Sequence, residues 1–237
     1  MISYDEAKMF LKNMKGQTDE LVWARIWDDS KKGMTWLDEL PSISPGRWAV
    51  GYNYIYVLTR ILNEMKPDRI LDLGLGISST IISHYCSRCL KDTGYHDVVE
   101  QDNTWKDFYV KSNPLSSFTN IHILECVEKK YKGVQYNAYN LFDQVVANKK
   151  YHLISVDGPY GSDRYSRRDI IDFIPGILEE SFVIIFDDTN RQGEKDTISE
   201  LESVLVANGI KFQKGTYESI KNCTVITSED NRFFCSL

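Results

Sequence analysis

Gly74 and Gly76 stand one residue apart in LDLGLGISST, directly after the apolar run RILDL. Glycines placed this way let backbone come very close to a ligand. Asp72 precedes the pair by two residues, and the next apolar run, DVVE, ends in Glu100. A carboxylate there can accept hydrogen bonds from both hydroxyls of a ribose. A dinucleotide loop requires G-x-G-x-x-G, its third glycine letting the helix pack close while the helix N-terminus meets a pyrophosphate. Position 79 is serine instead. Asp72 is also badly placed beneath a pyrophosphate. It suits a phosphate-free ligand with a positive charge, such as the α-ammonium of S-adenosylmethionine. Ser78 and Gln101, beside these residues, complete the expected cofactor contacts. The structural alternative for the two glycines is a plain tight turn.

Three further carboxylates end apolar runs: Asp157 in SVDGPYG, and Asp187 with Asp188 in IIFDDTNR. Charge against a core is costly unless it serves a purpose. Helix capping explains Asp188 alone. Together the three suit a hard divalent cation such as magnesium, which would hold an acceptor hydroxyl and lower its pKa. The candidate bases are Asp157, Asp188, His152, or none beyond the metal. Arg164, Arg167 and Arg168 open the segment after Asp157, where a helix N-terminus would disfavour cations. They form either a solvated cluster with Asp163 and Asp169 or, with Arg191 and Tyr160, a grip on an anionic acceptor.

These residues need a sheet to hold them. From residue 69 onward β-rich runs alternate with helical patterns. Strands are expected over 69–74, 96–102, 120–126, 151–158 and 181–188, with two more closing the chain as a hairpin. Helices are expected over 78–91, near 103–111, around YNLFDQVVAN, over RRDIIDFIPGILEE, and over 194–209. Such alternation gives a parallel sheet covered on both faces, here with one antiparallel strand at its edge. Residues 1–66 read as a helical extension and 67–237 as the cofactor-binding domain. The extension holds Trp23, Trp27, Trp36 and Trp48, which either pack it onto the sheet or line a pocket and stack on a sugar ring.

The bulk composition narrows the class. The chain has 237 residues, 42% hydrophobic and 26% charged, with a formal net charge of −6 that disfavours a nucleic-acid surface. No apolar run approaches the roughly 20 residues of a membrane helix. Asp5 and Glu6 occupy the place where a signal peptide is basic, so a cytoplasmic location is expected. Five irregularly spaced cysteines do not read as a disulfide framework, and Cys86 and Cys89 read as neighbours on one helix face. Oligomeric state is left open, a homo-oligomer among the options.

The order strand, D-x-G-x-G, helix, strand, Glu resembles the class I S-adenosylmethionine-dependent methyltransferases from about residue 50 to the end. The resemblance implies an α/β, Rossmann-like seven-stranded sheet with the last strand antiparallel. Asp72, Gly74, Gly76 and Glu100 would face the cofactor, with Glu125 and Cys126 bordering the adenine and Asp157 nearby. Asp157, Asp187 and Asp188 are similar to the acids of metal-dependent O-methyltransferases, including those acting on sugars. VDGPYGSDRYSRRDI resembles the DGP-x-G…R stretch of polysaccharide methyltransferases, such as plant glucuronoxylan 4-O-methyltransferases and bacterial capsule or O-antigen enzymes. Where some sugar methyltransferases carry a second acid, this chain has Pro159. The expected activity is methylation of a sugar or glycan hydroxyl, on an anionic saccharide of surface polysaccharide biosynthesis. Alternatives are a small phenolic acceptor, a nucleotide-binding oxidoreductase, or an inactive binding module.

Overall fold

Short runs rich in β-branched residues, buried on both faces, become the centre of a parallel sheet. In chain order the strands are β1 (Arg69–Leu73), β2 (Tyr95–Glu100), β3 (Thr119–Ile123), β4 (Cys126–Tyr131), β5 (Val134–Tyr139), β6 (Tyr151–Val156), β7 (Leu178–Phe186), β8 (Phe212–Tyr217) and β9 (Cys223–Ser228). The helices are α1 (Tyr4–Ser30), α2 (Tyr52–Glu64), α3 (Ile77–Cys89), α4 (Asn103–Ser112), α5 (Phe142–Val146) and α6 (Gln192–Ala207). This computed structural model describes residues 3–46, 48–91 and 93–236. Seven strands form the main sheet in the order β3-β2-β1-β6-β7-β9-β8, and β9 alone runs opposite to the other six. The expected antiparallel last strand is therefore present. It lies one place in from the edge, because β8 pairs outside it.

Alternate residues of the central strands feed two cores. Ile70, Leu153, Val183 and Ile185 pack with α2 and α3, whereas Leu71, Ile154, Ile184 and Phe186 pack with α5 and α6. Trp23 and Trp36 belong to the first core and Trp27 packs against it. Trp48 is 95% exposed. Packing is thus the role of three of these tryptophans, and only Trp48 is free to meet a ligand. Cys86 is buried and Cys89 exposed on α3, both as free thiols.

Two elements depart from expectation. RRDIIDFIPGILEE is not a helix: it holds one 3₁₀ turn, Ile171–Phe173, and then an extended Ile174 with ψ 136°. Pro175 explains this, since proline drives the preceding residue out of the helical region and lacks an N–H. The second departure is the hairpin β4–β5, which sequence periodicity did not signal. Its turn is Lys132-Gly133, both at positive φ (49° and 81°), as a tight two-residue hairpin turn requires.

Candidate cofactor and acceptor site

A cavity of about 1040 Å³ opens beyond the carboxyl ends of β1, β2, β6 and β7. It runs from the glycine loop to Asp157 and Asp188. Open α/β sheets hold ligands in this position. A second cavity of about 1010 Å³ lies at the opposite ends of the strands, around Asp68, Arg69 and Lys149, away from the glycine loop.

The glycine loop is built from below. Gly74 has φ 101°, and a Cβ there would meet the Asp157 and Gly158 backbone at 3.2 Å. Gly76 is extended, and a Cβ there would meet nothing within 4 Å among the described residues, so this side is open to a ligand. Asp72 is fully buried. It accepts hydrogen bonds from Ser79 and Ser155 at 2.5 Å each and from Ser78 at 3.3 Å. The expectation that Asp72 faces the cofactor is corrected: its carboxylate is satisfied inside and does not line the cavity. Ser79 also accepts from the Gly76 N–H at 3.1 Å, so the residue replacing the third glycine ties the loop to its helix.

Glu100 and Gln101 line the cavity with Gly74, Gly76 and Ser78. Glu100 accepts from the backbone N–H groups of Leu75, Gln101 and Asp102 at 2.8–2.9 Å. Burial raises its pKa, against those three hydrogen bonds. A carboxylate offers about four acceptor positions, so one remains for a ligand hydroxyl. Gln101 Oε1 is buried and has no partner among the described residues. An open glycine, a carboxylate with spare capacity and an unpartnered amide oxygen fit an adenosyl ligand. Glu125 and Cys126 do not line this cavity, because the chain has already turned into the β4–β5 hairpin there. The helix expected near 103–111 is α4 (Asn103–Ser112), and what sequence reasoning missed is its hold on the glycine loop. Trp105 Nε1 donates to Leu75 O at 2.8 Å and Tyr109 OH to Gly76 O at 2.6 Å, pinning the loop from the solvent side.

At the other end the three expected acids meet, with carboxylate oxygens within 4.8 Å of one another. They are not alone. Arg167, with its side chain 6% exposed, places one nitrogen, Nη2, 3.0 Å from Asp157 and 3.1 Å from Asp188. Lys221 reaches Asp187 at 3.4 Å and Asp188 at 3.6 Å, and Arg191 reaches Asp188 at 3.0 Å. Burial pushes the carboxyls of Asp157 and Asp187 upward, and Arg167 and Lys221 pull them back. Asp188 and Arg167 both hold left-handed backbone, φ 58° and 57°, a strain typical of functional sites. Magnesium fits the spacing and the all-oxygen donors, and Asp187 Oδ1 is unpartnered among the described residues. It does not fit the charge arrangement, because the Arg167 guanidinium already occupies the bridge between two of the three acids. Lys221 escaped sequence reasoning, since only the β8–β9 turn returns it to this cleft.

The remaining arginines separate. Arg164 pairs with Asp196, and Arg168 with Asp172 at 3.0 Å and Glu200 at 3.2 Å, while lying 3.9 Å over the Tyr131 ring. Neither lines the cavity, which corrects their assignment to the acceptor. Arg168 and Asp169 instead latch the loop to the hairpin, Asp169 accepting from the Tyr139 N–H at 2.7 Å. Tyr160, Arg191 and Trp48 do line the cavity, at 57%, 48% (side chain) and 95% exposure. His152 pairs with Asp68 at 2.9 Å, far from this rim.

Comparison with solved structures agrees with this architecture. The O-methyltransferase TomG from Streptomyces achromogenes, involved in tomaymycin synthesis and solved with S-adenosylmethionine, superposes with a TM-score of 0.53 at 10% identity. The match covers 91% of this chain and 98% of that one. An O-methyltransferase from Bacillus cereus in complex with S-adenosylhomocysteine gives 0.50 at 11% identity, over 90% and 91% of the two chains. Precorrin-6y C5,15-methyltransferase from Geobacter metallireducens GS-15 gives 0.50 at 12%, over 79% and 94%. No family model matches the chain, and no curated protein matches it in sequence. The fold is the Rossmann-like methyltransferase fold.

Proposed function

We propose that the chain is an S-adenosylmethionine-dependent O-methyltransferase acting on a sugar or glycan hydroxyl, with an anionic saccharide of surface polysaccharide biosynthesis as the acceptor class. One observation carries this reading. A single cavity joins an adenosyl-type half, with Gly76, Glu100 and Gln101, to a half lined by Asp157, Asp188 and Arg191. Bound in the first half, S-adenosylmethionine would supply a sulfonium methyl group for in-line transfer to oxygen. Glu100 and Gln101 hold the ribose, and Ser78 and the loop backbone hold the amino-acid end. Asp157 takes the proton from the acceptor hydroxyl as the oxygen–carbon bond forms. Its raised pKa brings it nearer the range useful to a base at neutral pH. Arg167 and Lys221 hold Asp157, Asp187 and Asp188 in place, and Arg191, half-exposed, meets the acceptor's anionic group. Trp48 and Tyr160 offer aromatic faces to the acceptor ring.

Magnesium assistance is the second reading. It has the 4.8 Å spacing in its favour and the position of Arg167 Nη2 against it. A small phenolic acceptor suits the aromatic rim equally, and Arg191 favours the acidic sugar. The deciding experiment is transfer from radiolabelled S-adenosylmethionine to uronic acids, neutral sugars and catechols, with and without EDTA. Methylation of uronates alone supports the proposal. Methylation of catechols alone, or complete loss of transfer in EDTA restored by magnesium, replaces it with the corresponding alternative.

A further inference from the structure

Helix α1 is attached to the body by one face of its second half. Trp23 packs against Tyr56 and Tyr217, Trp27 against Tyr52, and Glu20 accepts from the Tyr52 N–H and the Ser219 hydroxyl. Every residue from Ser3 to Lys15 is exposed. About three turns of helix therefore stand clear of the body.

Among its exposed apolar residues, Met9 alone lies away from one face. Tyr4, Ala7, Leu11, Met14, Thr18 and Leu21 recur at alternating spacings of three and four, with Phe10 and Val22 beside them. At about 100° per residue, this stripe lies opposite the face that carries Glu20, Trp23 and Trp27. It stays open along the whole helix: Tyr4 is 81% exposed, Leu11 65% and Leu21 73%. At roughly 100 Å² for each of Tyr4, Phe10, Leu11, Met14, Leu21 and Val22, the stripe and its flanks offer about 600 Å² of apolar surface, the upper end of what a monomer carries. That approaches the ~800 Å² per partner of a stable interface.

We infer that this stripe is a self-association surface, on which α1 of a second copy of this chain lies antiparallel. The spacing sets the register: Tyr4 faces Leu21, Ala7 faces Thr18, and Leu11 faces Met14 across a two-fold axis. That arrangement places two bulky pairs, with one small pair between them, on each side of the axis. It also sets the two helix dipoles head to tail and closes on itself, leaving no stripe free. The body of each copy hangs from the opposite side of its own helix and does not obstruct the contact. This inference is independent of the proposed chemistry, because no residue of the stripe lines the cavity.

The test is the mass of the full chain by light scattering at micromolar concentration, together with two charge variants. The wild type is expected at twice 27.4 kDa. Leu11→Lys and Met14→Glu each bury a charge at the contact and weaken self-association by roughly 100-fold, leaving monomers. Both positions are exposed in the single chain, so far-UV spectra retain the body's fold. Mixing the two variants restores a dimer, because in the antiparallel register position 11 of one copy faces position 14 of the other. The cation introduced by Leu11→Lys then meets the anion introduced by Met14→Glu. Monomeric wild type overturns the inference, as does wild type that binds phosphatidylglycerol vesicles only as a monomer. A dimer untouched by either variant, or a mixture that stays monomeric, also overturns it.

Discussion

Arg167 is the residue whose removal most directly examines how the acid cluster is held. Its guanidinium sits 3.0 Å from Asp157, 3.1 Å from Asp188 and 3.8 Å from Glu194, with the side chain 6% exposed. At an effective dielectric constant near 20, a pair at 3 Å attracts by about 5 kcal/mol before desolvation is counted. Arg167→Met keeps most of the volume and removes the charge. Four carboxylates, with Asp187 as the fourth, then face only Lys221 and Arg191 among the described residues. Breaking a buried pair from one side costs about 3–5 kcal/mol. With a urea slope of roughly 2–3 kcal/mol/M, the unfolding midpoint should fall by about 1–2 M. The same variant opens the bridge between Asp157 and Asp188 to a divalent ion. Millimolar magnesium should therefore raise the midpoint of Arg167→Met and leave the wild type unchanged, by linkage of binding to folding. A loss under about 1 kcal/mol, or equal stabilisation of both proteins by magnesium, refutes the reasoning that Arg167 stands in the ion's place.

Three further outcomes follow from the site. Glu100→Gln should weaken S-adenosylhomocysteine binding by about 1.5–3 kcal/mol in calorimetry, the scale of a charge-assisted hydrogen bond. In the wild type the same affinity should fall on acidification, because protonation removes the acceptor. The fall should begin above the range of an ordinary glutamate, since burial has raised the Glu100 pKa. A flat profile down to about pH 4.5, near the ordinary glutamate value, would remove Glu100 from the ligand. Arg191→Ala should raise KM for an acidic acceptor by roughly tenfold while cofactor affinity holds, because its ion pair with Asp188 is half-exposed and its reach is toward the cavity. Trp105→Phe, which removes the donor to Leu75 O, should weaken cofactor binding by about 1 kcal/mol and leave the acceptor KM alone.

The central strands β1, β2, β6 and β7 were legible in the sequence because each carries an apolar run that ends up almost wholly buried. Gly74, Gly76 and Glu100 line one cavity together, as their order at the ends of two successive strands predicts. Asp157, Asp187 and Asp188 were placed correctly together, since β6 and β7 pair side by side. What sequence could not yield is which charges answer them. Arg167 and Arg168 are adjacent in the chain, yet one enters the acid cluster and the other turns to Glu200 and Tyr131. The positive φ at Arg167 divides them, and it is a property of the folded loop. Lys221 arrives from a turn more than thirty residues beyond Asp188. The hairpin β4–β5 stayed hidden because β4 is only partly buried, so its pattern of apolar residues is weak.

The contact between Gly74 and Gly158 has a consequence for how such a protein can change. A Cβ on Gly158 would lie 2.3 Å from the Tyr139 hydroxyl and 2.9 Å from the Gly74 nitrogen, so the two loops touch main chain to main chain. One loop belongs to the cofactor half of the cavity and the other carries Asp157. On the proposed reading, the gap between methyl donor and acceptor is thereby gauged by these two backbones, with the Tyr139 hydroxyl behind Gly158. If Trp48, Tyr160 and Arg191, which line the cavity, meet the acceptor as proposed, they can be exchanged to admit a different one while that gap stays fixed. Selectivity becomes a matter of trim and reaction distance a matter of frame, and the two can drift at different speeds.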